Sequence, residues 1–273
     1  FLRLIADYTE MCASAKERGK KVALTTFCMA TPILFAFDVV PVMLEAMTVL
    51  GTVVLKRGTS EYLDYCCEVG FTETSCSAQR GSLGAFLAGC AVKPDFVVCD
   101  TPGICDTNAN SFAFAASFLD IPFFQLNYPP TLTDSRAHAY HREDFRALVR
   151  FLEEQTGTSL DHTRLSTVME ELAHQDRLAS ELIDLMRLKP SPVPGIFDLM
   201  LYGGRFMMSG RREYTVLLES MLRLAKDNAQ KEKAGTSSGR ERARGLFCYI
   251  DHYTTDARFW TWMDAMEISH LGS

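Results

Sequence analysis

The chain has 273 residues, 47% hydrophobic and 23% charged, with a formal net charge of -6 from 28 basic and 34 acidic side chains. That length holds one large or two ordinary domains, and the composition excludes a disordered or fibrous chain and disfavours a nucleic-acid partner. The longest uncharged run, Val22 to Phe37, is 16 residues and includes Thr25, Thr26, Thr31 and Pro32, short of the roughly 20 apolar residues of a membrane span.

Residues 1–21 mix apolar and charged side chains without the order of a secretory leader, so a cytoplasmic location is expected. Residues 3–18 repeat apolar side chains at helical spacing, and Lys16-Glu17-Arg18-Gly19-Lys20-Lys21, with its basic residues and glycine, closes the stretch. Lys21 to Phe27 reads as a buried strand, and Thr31-Pro32 opens a helix, because proline is tolerated in a first turn. Asp38 to Val42 is expected to be extended, with helices at Leu44 to Leu50, Ser60 to Val69 and Ser77 to Cys90, the last rich in small residues that permit close packing. Strands follow at Asp95 to Cys99 and Pro122 to Leu126, separated by the loop Asp100 to Asp106 and a helix at Ser111 to Leu119. Strands alternating with helices predict an α/β fold with a Rossmann-like parallel sheet over residues 1–134.

From Ser135 charged amphipathic helices take over, at about 137–155, 161–187, 196–208 and 211–229, forming a helical region at 135–239. A Pro-rich joint at Lys189 to Gly195 interrupts it, and Ala234 to Gly239 reads as a linker. A strand at Leu246 to Ile250 and a helix at Asp256 to Met266, with Trp260, Trp262, Met263 and Met266 as a broad apolar stripe, start a second α/β domain at 240–273. One strand and one helix cannot cover a sheet, so the chain is expected to be part of a longer protein or to associate with a partner.

No G-x-G-x-x-G and no G-x-x-x-x-G-K-[ST] occurs, so no nucleotide is expected to bind this chain. H-E-x-x-H is missing, and the G-x-S-x-G match Gly235-Thr236-Ser237-Ser238-Gly239 falls in the Ala234 to Gly239 linker and not in a strand-to-helix elbow, which disfavours a serine hydrolase or zinc protease. His138 and His141 share a helix face without a third ligand and read as solvated.

Nine cysteines in a reducing compartment point to metal or redox chemistry more than to disulfides. Cys76, in Thr74-Ser75-Cys76-Ser77, and Cys105, in Gly103-Ile104-Cys105-Asp106, both stand at helix entrances, where free N–H groups and the positive dipole end favour a thiolate. Two such loops on one sheet edge could clasp a cluster, although the spacing is not that of a ferredoxin. Cys12, Cys28, Cys66, Cys67 and Cys90 read instead as packed thiols, and Cys99 fits either role.

Around these residues the sequence resembles the 2-hydroxyacyl-CoA dehydratases and the related ATP-dependent benzoyl-CoA reductases. The resemblance rests on Thr31-Pro32-Ile33-Leu34-Phe35-Ala36-Phe37-Asp38-Val39-Val40-Pro41-Val42 followed by Glu45, and on Glu68-Val69-Gly70 before Cys76-Ser77-x-x-Arg80 and Gly84. It continues in Lys93-Pro94-Asp95-Phe96-Val97-Val98, Cys105-Asp106, and Ile121-Pro122-Phe123-Phe124 with Pro129. It implies stacked α/β domains and a four-iron four-sulfur cluster held by three cysteines. Cys76 and Cys105 match two of these ligands, and Cys248, in the later strand, is a weak stand-in for the third.

The implied reaction starts from an acyl-CoA whose 3-proton is not acidic; one electron gives a ketyl radical that expels the 2-hydroxyl and acidifies that proton. The resemblance further implies a homologous second subunit and an ATP-hydrolysing activator protein as electron donor. Glu45 is the candidate proton-handling group, with a capping or surface carboxylate as the alternative. A reductase of the benzoyl-CoA or double-cubane type, a subunit holding only a relay cluster, and a non-catalytic cysteine-rich or zinc-binding assembly protein remain open at this point.

Overall fold

In the computed structural model, which describes residues 1–27, 31–49, 60–100, 105–129, 131, 133–247 and 257–272, the apolar run after Lys21 forms the centre of a parallel sheet. Four strands take part: β1 (Val22–Thr25), β2 (Val40–Met43), β3 (Phe96–Asp100) and β4 (Phe123–Leu126), in the order β2-β1-β3-β4. Val22 pairs with Val40, Ala23 with Phe96, and Val97 with Phe123. Every residue of β1, β2 and β3 is buried, the mark of a parallel sheet covered on both faces.

Alternate side chains of these strands feed two cores. On one face Val22, Leu24, Val42, Val97 and Cys99 pack with Leu83, Phe112 and Ala116, drawn from α5 (Ser77–Ala85) and α6 (Asp106–Leu119). On the other, Ala23, Phe96, Val98 and Leu126 pack with Leu34, Leu148 and Leu152, from α2 (Pro32–Ala36) and α7 (Ser135–Thr156). The remaining helices of this part are α1 (Leu2–Ala13), α3 (Leu44–Val49) and α4 (Ser60–Glu68). The α/β parallel-sheet reading is therefore correct.

The chain divides into two compact units: Asp7–Ser166, which holds the sheet, and Phe1–Ala6 with Thr167–Ser273. The division falls inside α1 and inside α8 (His162–Leu185). In the second unit α9 (Phe197–Met208) and α10 (Arg212–Gln230) pack closely: a Cβ on Gly204 would lie 2.4 Å from the Tyr214 ring. The segment after α10 returns to the Pro-rich joint, where Gly235 N donates to Ser191 O at 2.8 Å. A small β-α-β element follows: β5 (Ala243–Gly245), α11 (Ala257–Ala265) and β6 (Ile268–His270), with the two strands parallel.

Several local expectations are corrected. The small-residue helix breaks after Ala85 into a π-helical turn, Phe86–Cys90, because Gly89 adopts φ 85°. Cys90 is consequently exposed, donating to the Tyr62 hydroxyl at 3.4 Å, and is no core thiol. The helix expected from Ser111 starts at Asp106, an acidic residue suited to a first turn. Of the strand expected at Leu246 to Ile250, Leu246 and Phe247 are not extended into a strand and Leu246 is exposed, while 248–250 lie outside the described residues; a short strand forms instead at Ala243–Gly245. The tryptophan-methionine stripe splits: Trp260 and Met263 are buried, whereas Trp262 and Met266 face out. His141 does not stand on a solvated face, since its Nδ1 lies 2.9 Å from Asn127 O and its ring meets Phe145 edge-on.

Candidate active site

The sheet order places β2 and β3 on opposite sides of β1, so the crevice beyond the carboxyl ends of β1 and β3 is the switch point where α/β folds bind ligands. Polar side chains gather at that edge, although the strands leading to it are apolar. Thr25 and Thr26 close β1, Asp100 closes β3, and all three are buried. Glu45 enters from the first turn of α3, directly after β2; the residue as a whole is half-buried, but its Oε2 is sealed from solvent.

These groups form one hydrogen-bonded chain. Glu45 Oε1 accepts from the Thr26 hydroxyl at 2.9 Å and from Gln79 Nε2 at 3.0 Å. Thr26 Oγ1 in turn accepts from Asn108 Nδ2 at 2.5 Å, and the same Nδ2 donates to Asp100 Oδ1 at 3.0 Å. On the far side of each residue an oxygen is left over: Glu45 Oε2, Gln79 Oε1, Asp100 Oδ2 and Asn108 Oδ1 are buried without a hydrogen-bond partner among the described residues. An unmet buried acceptor costs about 1–3 kcal/mol, so such a concentration is unusual outside a site that takes up protons or ligand.

Burial of the carboxyl raises the Glu45 pKa to about 7, against the opposing pull of its bonds from Gln79, Thr26 and nearby backbone N–H groups. Asp100 is shifted upward too, by burial first, with the Asn108 bond acting in the other direction. A carboxyl poised near neutrality both gives and accepts protons, which is the property required of a general acid-base.

The two candidate cysteines flank this network. Cys76 is the residue preceding α5, exposed, and Cys105 the residue preceding α6, half-buried. Neither side chain caps its own helix, while Cys76 O and Cys105 O accept the first helical bonds from Arg80 N and Ala109 N at 3.0 Å. The thiols are therefore free at positive helix ends. The other described cysteines differ. Burial pushes the Cys12 thiol up to about 12 and the Cys66 thiol up to about 11, and Cys99 is enclosed in the core. Cys67 receives Arg80 Nη1 at 3.3 Å. Cys248 and Cys28 lie outside the described residues.

Sequence reasoning misses Gln79 and Asn108. Each is the third helical residue after a cysteine, Gln79 after Cys76 and Asn108 after Cys105, and that repeated Cys-x-x-amide spacing is the one signal that could have found them. No group of three or more His, Cys, Asp or Glu side chains suited to a metal ion occurs among the described residues. No curated protein matches the chain. The family model for 2-hydroxyglutaryl-CoA dehydratase, D-component, matches residues 27–270, a span that includes Glu45, both candidate cysteines and the amides, and the chain belongs to that family.

Proposed function

We propose that the chain is the iron-sulfur subunit of a radical 2-hydroxyacyl-CoA dehydratase, with Glu45 handling the proton. The observation that carries this reading is a buried carboxyl with one unbonded oxygen, set at the switch point of an α/β sheet in a dehydratase-family chain.

The donor chemistry fits a four-iron four-sulfur cluster at two of its ligands: Cys76 and Cys105 are unpaired thiols at the N-termini of two helices whose first N–H groups favour an anionic centre. Cys248 is proposed as the third ligand. When bound, the cluster supplies a low-potential electron, which the dehydration returns, and an open coordination position.

The chain's own residues handle the rest. Protonated Glu45 gives its proton to the departing 2-hydroxyl, which leaves as water. The resulting carboxylate then takes the proton from the 3-carbon, so the acid is restored and the product is the 2-enoyl thioester. Gln79 and Thr26 hold Oε1 and leave Oε2 to exchange the proton. A homologous subunit and an ATP-hydrolysing activator complete the proposed system, and no nucleotide binds this chain.

The test is anaerobic iron and sulfide analysis of the native protein together with product analysis from a 2-hydroxyacyl-CoA. Stoichiometric cluster and enoyl-CoA formation support the reading. An iron-free, colourless preparation that eliminates water, or a product reduced by two electrons, rejects it.

A further inference from the structure

The bonds around Glu45 have a fixed direction, and that direction starts at Asp100. Asn108 Nδ2 donates to both Asp100 Oδ1 and Thr26 Oγ1, so both of its hydrogens are committed. The opposite amide orientation would turn Asn108 Oδ1 toward the Asp100 carboxyl, oxygen against oxygen. With a donor already pointing at Thr26 Oγ1, the threonine's own hydrogen is the one donated to Glu45 Oε1. Gln79 Nε2 donates to that same oxygen.

We propose that Asn108, anchored by Asp100, is a positioning residue that acts on Glu45 through Thr26, aiming the threonine's donor at Oε1 beside that of Gln79 and so confining the exchangeable proton to Oε2. This deepens the reading of Glu45 as the proton-handling group and rests on it. The placement has a consequence for stereochemistry: a carboxyl that exchanges its proton at only one oxygen delivers and collects it from one direction. Without the chain, either oxygen can carry the proton, and a proton held on Oε1 is misdirected. Because Gln79 and Asn108 stand on the two cysteine-led helices, the geometry of both helix entrances is transmitted to this one carboxyl.

The test is a double-mutant cycle on the full protein, read by infrared spectroscopy at mildly acid pH and by turnover. The carboxylic C=O band of Glu45 is identified by its loss in Glu45→Gln. In the wild type the hydrogen bonds to the carbonyl oxygen lower its frequency. Thr26→Val and the near-isosteric Asn108→Leu should each raise it, the double variant should raise it no further than Thr26→Val alone, and Thr26→Ser should recover the wild-type position. kcat should fall about tenfold in each single variant, part of the roughly 10²- to 10⁴-fold that a positioned acid contributes, without multiplying in the double. Asn108→Ala replaces Asn108→Leu if the latter does not fold. An unchanged band in the Asn108 variant, shifts that add in the double, or no carboxylic band lost in Glu45→Gln overturns the proposal. Full dehydration by Glu45→Gln rejects the acid-base reading instead, while the infrared cycle still judges the hydrogen-bond chain.

Discussion

A carboxyl enclosed by protein and bonded on one oxygen responds to pH in the opposite sense from one that is salt-bridged. Glu45 has a folded pKa raised from 4.5 to about 7, so across that interval the folded chain keeps a proton that the unfolded chain has lost. The stability associated with the acid is fully present below the lower value and is lost as pH rises through the upper one. Asp100, also raised, adds in the same direction. Glu45→Gln should therefore flatten the fall in urea midpoint between pH 5 and 8. It should also stabilise the protein at the alkaline end by a few kcal/mol, at about 1.4 kcal/mol for each tenfold difference in proton affinity between the folded and unfolded chain. A variant whose midpoint falls as steeply as the wild type would show that Glu45 is not the group titrating. The cysteines separate by the same reasoning. Cys76→Ser and Cys105→Ser should each lose most bound iron while Cys12→Ser keeps it, because the first two thiols stand at helix entrances and the third packs half-buried against the core with its pKa raised. Equal iron loss in all three variants would sink the ligand assignment. The two tryptophans offer a control on packing. Trp262, 54% exposed, should be quenched readily by acrylamide in Trp260→Phe, whereas Trp260, 3% exposed, should be shielded in Trp262→Phe.

At the level of elements, the close contact between α4 and α5 decides whether Cys76 and Gln79 are presented correctly. A Cβ on Gly84 would come within 1.9 Å of Tyr62 O, a backbone atom that cannot rotate away. Gly84→Ala should cost about 1–3 kcal/mol, the range for overpacking, and should lower iron content as α5 is displaced. Urea titration with iron analysis checks both; an unaffected midpoint would mean that α4 yields freely. Most of these elements were legible because their signals are local. Thr31-Pro32 places proline at a first turn, the buried strands β1 and β3 are apolar up to their polar last residues, and the amphipathic repeat from Ser135 continues through long helices. The strands β5 and β6 were not, since Ala-Arg-Gly is largely exposed and has no apolar run to read. The site was half legible. Its thiols announce themselves by neighbours in sequence, and Glu45 by resemblance, but Asn108 and Thr26 are 82 positions apart and only the β1–β3 pairing unites them. An amide in a helix's first turn looks like any solvated polar residue until the strand order is known.

For the whole molecule, membership in a D-component family makes this chain one component of a dehydratase, and the sequence carries no phosphate-cradling loop. On the proposed reading turnover should require ATP and a separate ATP-hydrolysing protein, while the isolated chain should show no ATP binding by calorimetry. Sustained turnover with a mild reductant and no ATP would contradict this. The parallel sheet also dictates when the site can come into being. Its contributors run from Thr26 to Asn108, and β1 cannot find β3 until the long stretch of chain between Thr25 and Phe96 has left the ribosome. Parallel pairings of such long range close late, so the nascent chain displays Cys76 and Cys105 before it possesses the carboxyl network beside which they belong. Thiols exposed that early have no carboxyl network to guide a metal, so a cluster of the proposed kind is expected to be loaded into finished chains.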